Sequence, residues 1–127
     1  MITIGEAASW FEGEGSIGYY SKQLRMYASS TDLEVLEQFN KVIGGGGAVF
    51  AKKQINNNAW KPIWCWQAWN TYYVINLMKQ FWPHLFSRRR TQIIAAIELY
   101  LTDSYCSHTR NHMITVRSMQ QWIKTQQ

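Results

Sequence analysis

The chain is poor in the residues that build covalently or metal-stapled scaffolds. Its 127 residues hold two cysteines and two prolines. Cys65 and Cys106 stand in different contexts and form no CxxC, so a disulfide framework is excluded and free thiols in a reducing compartment are expected. Cys106, His108 and His112 lack a fourth ligand, and structural zinc wants four. Their loop, CSHTRNH, reads instead as a polar segment that reaches phosphates with Arg110 and Arg117. Long apolar runs are also missing. None approaches the roughly 20 residues that span a bilayer, and MITIGEAASW has no basic stretch ahead of an apolar one, so a soluble chain without a targeting segment is expected. No Ser-His-Asp set is present, and the glycines 44–47 lack the lysine and hydroxyl residue of a phosphate-binding loop. No small-molecule substrate is expected.

Acidic residues are scarce, eight against thirteen basic, for a net charge of +5. Two copies would carry +10. A basic balance with seven tryptophans and seven tyrosines suits a nucleic-acid binder, because cations draw in the phosphate backbone and release its counterions. The length corresponds to one domain over residues 1–127.

Residues 7–15, AASWFEGEG, carry the most information. Gly5, Ser9 and Gly13 recur every four residues on one helix face with Ala8 beside them, so a partner helix can approach almost backbone to backbone. Trp10 and Phe11 point toward a core. Glu12 and Glu14 fall at the helix end, where negative charge meets the unfavourable end of the helix dipole and asks for a cation.

Hydropathy and turn signals organise the rest. Residues 16–21 and 24–29 read as strands joined at Lys22 and Gln23. In the second strand Leu24, Met26 and Ala28 alternate with Arg25, Tyr27 and Ser29, so one face is apolar and the other polar. Ser30 or Thr31 caps a helix from Asp32, with Leu33, Leu36, Phe39 and Ile43 at helical spacing, and the four glycines end it. A second hairpin pairs 48–54 with 61–69 around INNNA. Helices follow at 72–81 and about 90–101, with a last short one at 116–123. The predicted fold is α+β, α-β-β-α-β-β-α-α, with four strands in one antiparallel sheet and the helices on one face.

AASWFEGEG resembles the motif of the LAGLIDADG homing endonucleases, in the variant with glycine between the two acids. Ala8 and Gly15 match the motif, Glu12 and Glu14 stand where the family has acids, and Ala7, Ser9 and Trp10 depart from it. TDLEVLEQFNKVIGGGG resembles the family's middle helix and glycine turn, WKPIWCWQAW its aromatic fourth strand, and FWPHLFSRRRTQ its stretch ahead of the last long helix. The resemblance implies a saddle-shaped sheet over DNA and a metal-dependent endonuclease. It also implies a homodimer, since one motif supplies one acid. Gly5, Ala8, Ser9, Glu12 and Gly13 would form the dimer interface, reading a pseudo-palindromic duplex site.

By the same resemblance Glu14, with the Gly15 carbonyl, would hold Mg²⁺, for which Mn²⁺ substitutes, while Glu12 mainly supports the helix end. Counting from Pro83 puts the basic residue near the scissile phosphate at Arg88, and counting from Gln92 puts it at Arg89. Ser29 or Ser30 falls near the polar residue that positions water. Strand parity assigns Tyr20, Lys22, Arg25, Tyr27, Ser29, Lys52, Gln54, Lys61 and Gln67 to the DNA face, and Arg110 to phosphates. Trp64 and Trp66 then face the helices, as core residues rather than a base-stacking platform. The implied setting is a bacterial or phage-host cytoplasm or an organelle matrix. The alternative is a non-cutting relative, a splicing maturase or a DNA-binding protein.

Overall fold

Thr3 starts the first helix. Its hydroxyl accepts from the Glu6 N–H at 3.1 Å and donates to the Glu6 carboxylate, closing the orphan amides of α1, Ile4–Glu14. The computed structural model describes residues 1–52, 62–104 and 107–127. Two strands follow, β1 (Gly15–Tyr20) and β2 (Gln23–Ser30), then α2 (Leu33–Val42), β3 (Ala48–Ala51) and β4 (Trp64–Ala68). The chain ends in α3 (Thr71–Phe81), a 3₁₀ turn Trp82–His84, α4 (Ser87–Thr102) and α5 (Arg110–Gln126). The fold is α+β with one four-stranded antiparallel sheet, as expected, and the strands are ordered β1-β2-β4-β3.

Several boundaries differ from the expectation. The first hairpin turns at Ser21-Lys22, both with positive φ (50° and 66°), the mirror-image turn that suits twisted strands. The turn was expected at Lys22 and Gln23, so Ser21 moves into it and Gln23 joins β2. Asp32 itself caps α2, accepting from the Glu34 N–H at 3.0 Å, in place of Ser30 or Thr31. The last helix begins at Arg110, so Arg110 and His112 are helical and not in a loop. The INNNA turn, Gln54, Lys61 and Cys106 lie outside the described residues.

Strand alternation divides the sheet as the sequence pattern requires. Ile17, Leu24, Met26, Ala28, Trp66 and Ala68 are buried beneath the helices. The Phe11 ring sits at the heart of this core against Phe39, Trp66 and Phe81. Gly15 closes α1 because a Cβ there would lie 2.3 Å from that ring. Below the sheet, α4 packs on β1 and α3 on β2, while α5 packs on α3 and α4 rather than on the strands. Among the described residues no helix is long and apolar enough to cross a membrane.

Candidate nucleic-acid interface and active site

The uncovered face of the sheet is polar and continuous across all four strands. Register pairs Gly18 with Arg25, Tyr27 with Gln67, Ser29 with Cys65, and Phe50 with Cys65. Tyr20 and Lys52 are exposed, and Arg25, Tyr27, Ser29 and Gln67 are half-buried. Arg25 is steadied by donating from Nη2 to the Gln23 side chain at 3.1 Å. Cys65 is buried in this face, with its Sγ 3.0 Å from the Tyr27 hydroxyl. Burial and that thiol push the Tyr27 phenol up to about 12, so it stays a neutral donor.

Glu14 ends α1 at the head of β1. It is exposed and has no hydrogen-bond or ion-pair partner among the described residues. Beside it opens a cleft of about 440 Å³ lined by Trp10, Ser29, Ser30, Thr31, Val35 and Ile63. Ser30 Oγ accepts from the Asp32 N–H at 3.0 Å and the Ser29 hydroxyl interacts with that of Tyr27, yet each, like Thr31, keeps hydrogen-bonding capacity for a water there.

Glu12 turns the other way. It is 9% exposed, accepts from the Phe86 N–H at 2.8 Å and lies 3.4 Å from Arg89 Nε. Its backbone carbonyl, one of those a helix end leaves without an intrahelical partner, accepts from Arg88 Nη2 at 2.9 Å and Arg89 Nε at 3.0 Å. The three consecutive arginines thus have three addresses. Arg90 stacks over Trp82 and donates to its carbonyl, and Arg89 is 6% exposed and tied to Glu12 and Gln92. Arg88 alone is exposed beside the end of α1. Burial, with Arg88 close by, lowers the Arg89 pKa while Glu12 pulls it up. Of the two arginines left open by the sequence, Arg88 is the one exposed to an incoming phosphate, whereas Arg89 is buried with its Nε and Nη1 engaged by Glu12 and Gln92. The triple-arginine run gave no sequence signal for which member turns inward.

The expected dimer face needs a similar correction. Ala8 is fully buried in the chain's own core, and Glu12 faces inward. Gly5 is partly covered by the imidazole of His84, 3.2 Å from where its Cβ would be. The outward stripe of α1 is Glu6, Ser9 and Gly13, all exposed, with Ile2 exposed ahead of the Thr3 cap, and a Cβ on Gly13 would meet nothing within 4 Å. Glu6 was missed by the sequence reading, although its spacing to Ser9 and Gly13 is helical.

No protein-family profile and no curated protein matches the chain. Solved structures do. The archaeal intron-encoded homing endonuclease I-Vdi141I, complexed with DNA, is similar with a TM-score of 0.57 at 13% identity, over 91% of this chain and 95% of that one. The LAGLIDADG homing endonuclease I-SmaMI, bound to cleaved DNA, also scores 0.57 at 16% identity, over 94% of this chain but 43% of its own. I-CvuI, in complex with its target in the presence of 2 mM Ca, scores 0.57 at 11% identity, over 98% and 81%. It was also solved in the presence of 2 mM Mg with its DNA not cleaved. The chain has the LAGLIDADG homing-endonuclease fold.

Proposed function

We propose that this chain is a site-specific endonuclease that cuts duplex DNA as a homodimer with a divalent metal, inside a cell or organelle. The observation that carries the reading is Glu14, an uncommitted carboxylate at the head of a polar sheet face, two residues from a Glu12 that the fold has buried against Phe86 and Arg89.

One chain is not a complete site. Among the described residues no group of three or more His, Cys, Asp and Glu is placed to hold a metal. One carboxylate and the Gly15 carbonyl suit Mg²⁺ or Mn²⁺ only where a second Glu14 joins them, and Mg²⁺ keeps several waters. A bound ion supplies a water of lowered pKa and neutralises charge on the leaving oxygen. The protein's own part is positional. Two Glu14 carboxylates fix the centre, and Ser29, Ser30 or Thr31 orients a water at the cleft. Arg88 neutralises the scissile phosphate, but with its very high pKa it is no proton shuttle. The Arg89–Glu12 tie keeps the helix end in place.

Pairing through Ser9 and Gly13 on a twofold axis gives two sheets in one groove and a pseudo-palindromic site. The coverage is in keeping with this: I-SmaMI has room for two such units, while I-Vdi141I has the length of one. Across the groove Arg25 is suited to guanine and Gln67 to adenine, with Tyr20, Tyr27, Ser29 and Lys52 alongside. Lys22 at the turn and Arg110 at the start of α5 meet phosphates. The test is to incubate the protein with a randomised duplex pool in Mg²⁺, Mn²⁺ or chelator and sequence the new ends. Metal-dependent cutting at one pseudo-palindromic sequence is expected. Selective binding without cutting in either metal would replace this reading with a non-cleaving DNA-binding protein.

A further inference from the structure

The positive charge is distributed unevenly. Residues 1–70, which hold the whole sheet, carry six basic and six acidic side chains, and residues 71–127 carry seven and two. The entire net charge of +5 therefore belongs to the C-terminal helices, whereas the face that reads bases is in a neutral half. Much of it lies on α5. Arg110, Ile114, Arg117, Gln121 and Lys124 are all exposed and follow the i, i+4, i+7 rhythm of a single helix face, and α5 has no acidic residue. The apolar side of α5 is used, through Val116, Met119 and Ile123, on α3 and α4. None of the three cations forms a salt bridge among the described residues, and Glu98 of α4 shares a hollow with Lys124 without pairing to it.

The position of this stripe identifies its occupant. Glu14 marks one end of β1 and the Ser21-Lys22 turn the other, about 20 Å away for six extended residues. At that far end a cleft of about 370 Å³ is lined by Lys22 and Gln23 from the hairpin and by Thr109 and His112 from the start of α5. The start of α5 therefore lies beside the hairpin turn, at the end of the sheet away from Glu14. From Arg110 to Lys124 the stripe runs for about 21 Å at 1.5 Å per residue, the length of some six base pairs.

We infer that the α5 stripe is a second DNA contact, which holds the sugar-phosphate backbone of the same duplex outside each half-site. The inference rests on the proposed DNA-binding reading and adds a contact without base readout. Charge complementarity fits it, because a regular row of cations with the uncharged spacers Ile114 and Gln121 matches phosphates and offers little to a base edge.

The test uses a target duplex selected from a randomised pool, in a short form ending at the half-site edges and a form with ten or so further base pairs on each side. Arg117→Gln/Lys124→Gln should bind the long form about tenfold more weakly than wild type, with the salt slope reduced by about two, one for each lost phosphate contact. On the short form the two proteins should bind alike. Gln121→Lys, which adds a cation to the same row, should tighten the long form alone. Equal weakening on both lengths, or none on either, overturns the α5 contact and leaves the endonuclease reading intact. So does folded RNA competing better than the long duplex only for protein with the intact stripe. If wild type selects no duplex at all, both fall.

Discussion

Glu12 and Glu14 leave the last turn of α1 on opposite sides. The inner acid has a backbone N–H at 2.8 Å and an arginine at 3.4 Å, and its own carbonyl is held by two guanidinium groups. The outer one has water and a cleft. The same division runs along the helix: Ala8 and Phe11 are sealed in the core, while Ser9 and Gly13 are open. A single turn thus performs two tasks. Its inner face fixes the helix end against the start of α4, and its outer face leaves a charge and a small-residue stripe open to solvent.

Removing the outer acid should have the largest effect. Glu14→Gln is expected to abolish cleavage while site-specific binding stays near wild type, since the groove is untouched. Near-normal cutting of target duplex by this variant in Mg²⁺ would sink the metal role. Glu12→Ala should do the reverse and act through stability. It leaves Arg89 buried and unpaired, a loss of about 3–5 kcal/mol, most of which Glu12→Leu/Arg89→Met should recover. Urea unfolding measures both, and a cost below about 1 kcal/mol would show that the tie is not structural.

Next down the helix, Ser9→Leu and Ala8→Leu sharpen the contrast. Ala8→Leu overpacks the core and should cost about 1–3 kcal/mol in unfolding. Ser9→Leu should leave the subunit's unfolding nearly unchanged and dissociate the dimer in sedimentation. If instead Ser9→Leu unfolds the chain and stays dimeric, the outward stripe is misassigned.

The periodic parts of the fold were legible in the sequence because they obey a simple rule. Leu24, Met26 and Ala28 alternate with Arg25, Tyr27 and Ser29, and the structure keeps that parity. What was not legible depended on distant partners. Ser21 and Lys22 adopt positive φ with neither glycine nor asparagine to announce it. α4 starts three residues early because Phe86, which has no capping side chain, donates its N–H to Glu12, 74 positions away in sequence. Which arginine of three turns inward was hidden for the same reason. α5 began in what read as a loop, since only the Thr109 hydroxyl, accepting from the His112 N–H, marks its start.

The smallest expected effect lies far from both acids. His108 stacks on Tyr100 at 3.6 Å and approaches the Tyr19 hydroxyl, which donates to Asp103. Burial lowers its pKa against the opposing pull of Asp103. A lowered histidine pKa means the folded state binds fewer protons, so its stability is present above about pH 6.5 and is lost as pH falls through the folded value. Wild type should therefore lose more stability than His108→Phe in urea titrations between pH 7.5 and 5. Parallel losses would remove His108 from the acid response.

The central claim is that cutting needs two Glu14 carboxylates from two chains. Wild-type and Glu14→Gln chains, refolded together in varied ratio at constant total concentration, test it directly through the rate of strand scission, with nicks counted alongside double-strand breaks. If both carboxylates are required, the rate follows the square of the wild-type fraction, about a quarter at an equal mixture, as expected for random pairing in a twofold dimer. A rate that falls in simple proportion, to about a half, would mean that each chain cuts without its partner's acid.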